Sequence, residues 1–329
     1  MECVVCERFA ADPYRIVDGI GFHKCDGCGS IFADPEFLAR VDAGLVGNYQ
    51  EDYWANEMKA ATERCYGSTL VRVAETFYYA RRPIRKFIDI GAGSGILLDA
   101  VSSLLPSLRD IFHGIELFPP PAENQSRHPN YHIGQLGDLD DLFDAGVCIE
   151  VIEHLTPTTL RALAGQLASR SAEGALYYFN SGQPSFVEKE NPGYLDPLKL
   201  GHVVSYSIAG LGCIFEPAGF NVIALPGRAW AFLLEYGPTA TIGCADLFDR
   251  IWHPLPENMA ALAIDPFGNL FQTMGQESAR SFLEHATANE RSQWAWALQA
   301  SLQAALPAAV KEPLKKSRLF GPWLRQLRR

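Results

Sequence analysis

The chain has 329 residues, 48% of them hydrophobic, and a formal net charge of −10. That length allows one large domain or two modest ones, and the acidic balance argues against nucleic acid as a general partner, because phosphate affinity comes from clustered Lys and Arg. No apolar run is long enough to span a bilayer, and MECVVCERFAADP lacks the basic and apolar regions of a secretory signal, so the expected location is the cytoplasm.

Four of the eight cysteines fall at the amino terminus, as Cys3-x2-Cys6 and Cys25-x2-Cys28. A C-x2-C turn points two thiolates at one ion, and two such turns supply the four soft ligands of a tetrahedral zinc. A redox pair or four free thiols are the alternatives. Between the pairs, YRIVDG and GFHKC read as two strands of a ribbon, too short to fold on an apolar core alone, so metal binding would supply the folding energy. Four thiolates leave no open coordination position, which makes such a site structural.

A helix is expected over 60–82. The segment KFIDIGAGSGILLDAVSSLL then reads as a buried strand, a glycine-rich turn and an amphipathic helix, the opening of a doubly wound α/β fold whose ligands sit beyond the strands' carboxyl ends. The dinucleotide fingerprint would need glycine where Ile96 stands. The next strand, 111–115, ends in Glu116, an acid placed for both ribose hydroxyls. After NYHIG, Asp138 is positioned for the adenine amine, and 144–149 forms a fourth strand delivering CIEVIEHL.

In this order the turn, the acid and the fourth strand resemble a class I S-adenosylmethionine-dependent methyltransferase over roughly 84–225. The resemblance implies a Rossmann-like seven-stranded sheet. It also implies that Gly91, Ala92 and Gly93 approach the methionine moiety with Asp89 nearby, that Glu116 and Leu117 line the ribose, and that Glu150 meets the cofactor's edge.

Glu150, Glu153 and His154 follow the fourth strand, where substrate meets cofactor. In the structural reading, His154 packs beneath the helix at 156–170. The Glu-x-x-Glu-His pattern is also similar to small-RNA 2′-O-methyltransferases and ubiquinone-pathway O-methyltransferases. In the first of these families, two glutamates and two histidines hold Mg²⁺ on vicinal hydroxyls. His202, after the fifth strand at 175–181, stands where the second histidine would. Glu150, Glu153, His154 and His202 are therefore expected to hold Mg²⁺ or Mn²⁺, or, without a metal, to supply the general base. The connection at 181–201 has the length and Pro/Gly content of a lid. Within it Tyr194, Glu188 and Lys189 are expected to be solvated.

A final helix and two strands are expected by 236, then helices over 251–264 and 282–306 that cover the cleft or make a dimer. From Lys311 onward, seven basic residues face one acid, a local balance of +6. Interleaved Leu, Phe and Trp give that tail the composition of a segment that docks on an anionic membrane surface or an acidic partner. The resulting division is 1–35 zinc knuckle, 36–83 helical linker, 84–236 methyltransferase domain, 237–310 helical extension and 311–329 basic tail. Oligomeric state has no sequence signal.

A zinc knuckle ahead of such a domain resembles bacterial sugar-modifying enzymes, so the expected acceptor is a sugar hydroxyl of a glycan or glycosylated metabolite. Assembly of that glycan at the inner membrane would suit the tail. Sugar C-methylation, terminal-ribose RNA methylation, quinone or phenol O-methylation and a non-catalytic S-adenosylmethionine-binding module are the alternatives.

Overall fold

The computed structural model describes residues 1–46 and 51–305. The tail expected at 311–329 lies outside the described residues, as do positions 306–310. Met1–Leu283 forms one compact unit, and Glu284–Arg329 is a second.

The chain opens with strands β1 (Ala11–Val17), β2 (Ile20–Cys25) and β3 (Ile31–Ala33). Asp18 and Gly19 both take positive φ, 50° and 82°, in the two-residue turn that joins Val17 to Ile20, as a tight hairpin needs. Helices α1 (Pro35–Asp42), α2 (Glu51–Arg64) and α3 (Leu70–Tyr79) follow. The single helix expected over 60–82 is therefore interrupted by a wide turn at Cys65–Thr69. There Ser68 Oγ bonds back to the Arg64 carbonyl at 3.1 Å, beside the weak helix former Gly67. The helix ends early, at Tyr79, where Ala80 turns extended at ψ 136°.

The main sheet begins with β4 (Phe87–Ile90) and helix α4 (Ile96–Leu104), then β5 (Phe112–Glu116), β6 (Tyr131–Ile133) and β7 (Phe143–Ile149). Helix α5 (Pro157–Ser169) leads to β8 (Ser171–Asn180), and α6 (Pro184–Lys189) lies in the connection that follows. After β9 (Val204–Ser205) come α7 (Ile208–Phe215), β10 (Phe220–Ala224) and β11 (Ala231–Tyr236). Seven strands pair in the order β10-β11-β8-β7-β4-β5-β6. All are parallel except β11, which runs antiparallel to both neighbours. The chain reverses direction of travel at β4/β7, the crevice where such sheets bind ligands.

Three helices close the described chain: α8 (Cys244–Trp252), α9 (Pro256–Leu262) and α10 (Gly268–Ala305). The helix expected over 251–264 is split at His253-Pro254, and the last one starts at Gly268 rather than 282. Within the first unit these helices pack on α3, as where Asn258 Nδ2 donates to the Phe77 carbonyl at 3.5 Å. No helix among the described residues is long and apolar enough to cross a membrane.

The ribbon is not free-standing. β9 completes a second sheet, β1-β2-β3-β9, by pairing antiparallel with β3. The hydroxyl of Ser207, which caps α7 through Gly210 N–H at 2.9 Å, also donates to the Cys28 carbonyl.

Candidate active site

The glycine turn lies at the carboxyl end of β4. Gly91, Gly93 and Gly95 all have positive φ, at 75°, 57° and 80°. A Cβ on Gly91 would come within 2.5 Å of Val151 Cγ2, so this position has no room for a side chain. Gly93 is different: nothing lies within 4 Å of such a Cβ, and its backbone faces open space that a ligand can approach. The Gly91 and Ala92 N–H groups donate to the Ile115 carbonyl, tying the turn to β5.

Glu116, at the tip of β5, accepts from Gly93 N–H at 2.7 Å and Phe118 N–H at 2.8 Å. Burial raises its carboxyl above the usual range. Asp89 is buried beneath the turn, and its carboxyl is pushed up to about 7 by burial and then by Glu116. Leu117 is exposed next to Glu116. Asp138 accepts from Gln135 N–H at 2.8 Å, closing a one-turn 3₁₀ segment. Tyr131, which sequence reasoning passed over, donates to the Gly93 carbonyl at 2.5 Å.

At the carboxyl end of β7, Glu150 adopts φ 54°. A left-handed backbone is uncommon for a residue with a side chain and is concentrated at functional sites. Its Oε1 accepts from the Asn180 amide at the tip of β8. Glu153 is fully buried, and neither of its oxygens has a donor in hydrogen-bonding geometry. The hydroxyls of Ser181 and Tyr194 lie near enough to favour its charged form, but burial prevails and raises its pKa.

His154 packs edge-on against His202 with ring centroids 4.7 Å apart, and His154 Nδ1 is a second buried atom without a partner. Burial, then His202, pushes the His154 imidazole down to about 3. His202 Nδ1 meets the Tyr194 carbonyl at 2.8 Å. A carbonyl only accepts, so the proton sits on Nδ1 and the Nε2 lone pair is left for a ligand or a proton.

One ligand atom from each of Glu153, His154 and His202 lies within 4.8 Å of the others. A buried carboxylate without donors is costly unless a positive charge answers it. Among the described residues neither Glu153 oxygen is met by a donor, and a set of one carboxylate and two imidazoles is of the type that holds a divalent cation. Glu150 does not join this three-residue group, although four ligands were expected. It lines the adjoining cleft, of about 440 Å³, together with His202.

The four ribbon cysteines form the second group of ligand type. Cys3 and Cys28 Sγ are 3.9 Å apart, and Cys6 and Cys25 Sγ 3.7 Å. A tetrahedron with ~2.3 Å metal–sulfur arms has edges of about 3.8 Å, so the spacing fits zinc. All four thiols are free and buried.

The connection at 181–201 links the two groups. Lys24 of β2 pairs with Glu188, and Arg15 of β1 donates to the Pro192 and Leu195 carbonyls. At its end, Val203 N–H donates to the Glu153 carbonyl at 2.8 Å, while the Val203 carbonyl accepts from Ala33 of β3 at 2.9 Å. Tyr194, expected to be solvated, is buried, and its hydroxyl accepts from Gly182 N–H at 2.8 Å. Glu188 faces the ribbon, and Lys189 is exposed.

A parallel sheet with an open glycine turn after its first strand and an acid after its second defines a class I S-adenosylmethionine-dependent methyltransferase. Residues 58–225 match the model of the methyltransferase-domain family, and the chain belongs to that family. No curated protein matches it.

Solved structures are similar to this chain at low identity. The amino pentose methyltransferase CalS10 from Micromonospora echinaspora is 17% identical over 55% of this chain and 91% of its own, with a TM-score of 0.38. DesVI of Streptomyces venezuelae is 15% identical over 58% and 100%, at 0.43. The O-methyltransferase NcsB1 from neocarzinostatin biosynthesis is 18% identical over 56% and 58%, at 0.41.

Proposed function

We propose that this methyltransferase acts on a sugar hydroxyl in a glycan or glycosylated metabolite, with a divalent ion held by Glu153, His154 and His202, and with a structural zinc in the ribbon. The observation that carries the reading is Glu153: a fully buried carboxylate with two unmet oxygens, set against two imidazoles beside an open cleft. The cleft combines an aromatic wall, Trp230 and Phe186, with the amides of Asn180 and Asn191. Apolar faces with a few placed polar groups suit a sugar ring.

A divalent ion bound there would lower a hydroxyl's pKa and fix its direction toward the methyl group. The chain's own residues do the rest. Gly93 leaves the backbone open to the cofactor's methionine end, and Glu116 stands at the ribose. Glu150, outside the ligand group and on the cleft wall, takes the acceptor's proton. The hydroxyl oxygen forms a bond to the sulfonium methyl carbon as the carbon–sulfur bond breaks, and S-adenosylhomocysteine leaves.

The test is paired. Mn²⁺ binding by electron paramagnetic resonance and methyl transfer to a panel of diol-bearing sugars are measured on the wild type and on Glu153→Gln. The variant should lose the ion and about 10³-fold in kcat/KM, with cofactor affinity unchanged. Retained turnover in Glu153→Gln, or full activity after chelation, would reject the divalent-ion reading and free His202 to act as a base beside Glu150.

A further inference from the structure

Among the described residues, two guanidiniums at the cleft wall share one carboxylate, and Glu150 is the acid that lines the cleft itself. Three ionised side chains meet behind Trp230: Glu75, Arg72 and Arg228. Glu75 has 0% of its side chain exposed, Arg228 1% and Arg72 11%. Arg228 makes four bonds through its two terminal nitrogens, donating to both Glu75 oxygens, to the Tyr178 hydroxyl and to the Ser278 carbonyl at 3.1 Å. Arg72 makes two: its Nη1 reaches Glu75 Oε1 at 2.9 Å and Ser278 Oγ at 3.3 Å, while its Nε is buried with no partner. One carboxylate thus serves two guanidiniums, and these three groups together keep one net positive charge.

Arg72 is the member that reaches the cleft, where it lies over the Trp230 ring at 4.5 Å from the centroid, with Ser68 and Asn191 on the same wall. Stacking fixes the plane of a guanidinium, and a fixed fork binds carboxylate or phosphate oxygens through paired N–H groups. A net charge held at the edge of a low-dielectric wall also favours an anion more strongly than the same charge in water.

We propose that Arg72 forms an anion subsite and that the acceptor carries a carboxylate or phosphate group beside its reacting hydroxyl. This rests on the sugar reading above for the hydroxyl, but not for the anion. Glu153 and the imidazoles take the hydroxyl side of the acceptor, and the Arg72 guanidinium takes its acidic group.

The test uses the full chain loaded with S-adenosylhomocysteine. Malonate and inorganic pyrophosphate are titrated calorimetrically into the wild type, Arg72→Gln and Arg72→Lys. Arg228 still answers Glu75 in these variants, and unchanged S-adenosylhomocysteine affinity reports that the fold is kept. At least one anion should bind the wild type and lose about tenfold or more in Arg72→Gln, with partial recovery in Arg72→Lys. Preference for malonate points to a carboxylate acceptor, and preference for pyrophosphate to a phosphorylated one. Binding of neither anion, or equal binding in Arg72→Gln, overturns the subsite.

Turnover of methyl glucoside, methyl glucuronoside and glucose 1-phosphate, which share sugar hydroxyls, separates the two readings. A charged sugar should be used about tenfold better in kcat/KM, with the advantage lost in Arg72→Gln. A neutral sugar used equally well would reject the subsite and keep the sugar reading. Anion binding without turnover of any sugar would do the reverse.

Discussion

Among the described residues two groups of side chains are of metal-ligand type, and they are built differently. The ribbon's group is four of one kind: soft thiolates from two short turns, at the spacing of a closed tetrahedron. The second group mixes one carboxylate with two imidazoles, leaves buried atoms unmet and adjoins a cleft lined by His202 and Glu150. A closed set satisfies its ion completely and can only hold structure, whereas an incomplete one leaves positions for a reactant. Under the proposed function the contrast would give stability to one group and chemistry to the other, although a single connection, 181–201, touches both.

The largest expected effect tests whether that division holds. Cys25→Ser should lose one zinc equivalent and loosen the ribbon to protease, because metal binding on the order of 10 kcal/mol would add to the hold that β9 and the shared core already give it. Glu153→Gln should leave both the zinc content and the melting temperature nearly unchanged while removing turnover, since it relieves an unpaired buried charge. If Glu153→Gln lowered the melting temperature as far as Cys25→Ser, the second group would be structural and the contrast false.

Why one group is so much easier to read from sequence than the other is a matter of range. The cysteine pairs are local, so their spacing alone brings the sulfurs together. The glycine turn and Glu116 follow from strand patterning, whereas the seven-stranded sheet was implied by the methyltransferase resemblance and its strand order is seen only in the structure. His202 lies far from His154 in the chain, and only the Glu-x-x-Glu-His resemblance pointed to their meeting. Glu150 was expected among the ligands, but its left-handed backbone and its bond to Asn180 depend on β8, which no local pattern specifies. Arg72 sits in a helix with no motif around it. Its partner Trp230 and its rival for Glu75, Arg228, are supplied by the chain between β10 and β11. The hold of Arg15 on the 181–201 connection is invisible for the same reason.

A smaller effect comes from the cofactor side, which lies outside both groups and so serves as a control. In the free protein the Asp89 carboxyl is pushed up to about 7 by burial and by Glu116. The methionine end of S-adenosylmethionine is cationic and favours the ionised carboxylate. Binding below that pH must therefore expel a proton, and affinity should fall as pH drops, by up to about tenfold per pH unit. Above pH 7 it should be flat. Calorimetry in buffers of different ionisation enthalpy would report the released proton, and Asp89→Asn should abolish both the release and the slope. Proton uptake on binding would contradict the assignment. Neither metal group should respond to Asp89→Asn, and a change in zinc or Mn²⁺ content would mean that the regions are not separable.

The smallest effect probes the link between the two groups. Arg15 holds the carbonyls of Pro192 and Leu195, yet its Nε is buried without a partner, so the grip depends on two backbone contacts alone. Lys24 and Glu188 add a partly exposed pair, of a kind worth little by itself. Arg15→Ala should accordingly leave the zinc in place and the β3–β9 pairing intact, while amide hydrogen exchange across 181–201 rises severalfold. Tyr194 and His202 are the residues at stake, because the first holds the second through its carbonyl. Looser packing there should raise the acceptor KM about threefold and leave kcat and cofactor affinity alone, since the contact positions the cleft wall and meets neither reactant. Unchanged exchange in Arg15→Ala would mean that the ribbon steadies the cleft only through β9 and Val203. The link would then run directly from β3 to Glu153, bypassing the connection.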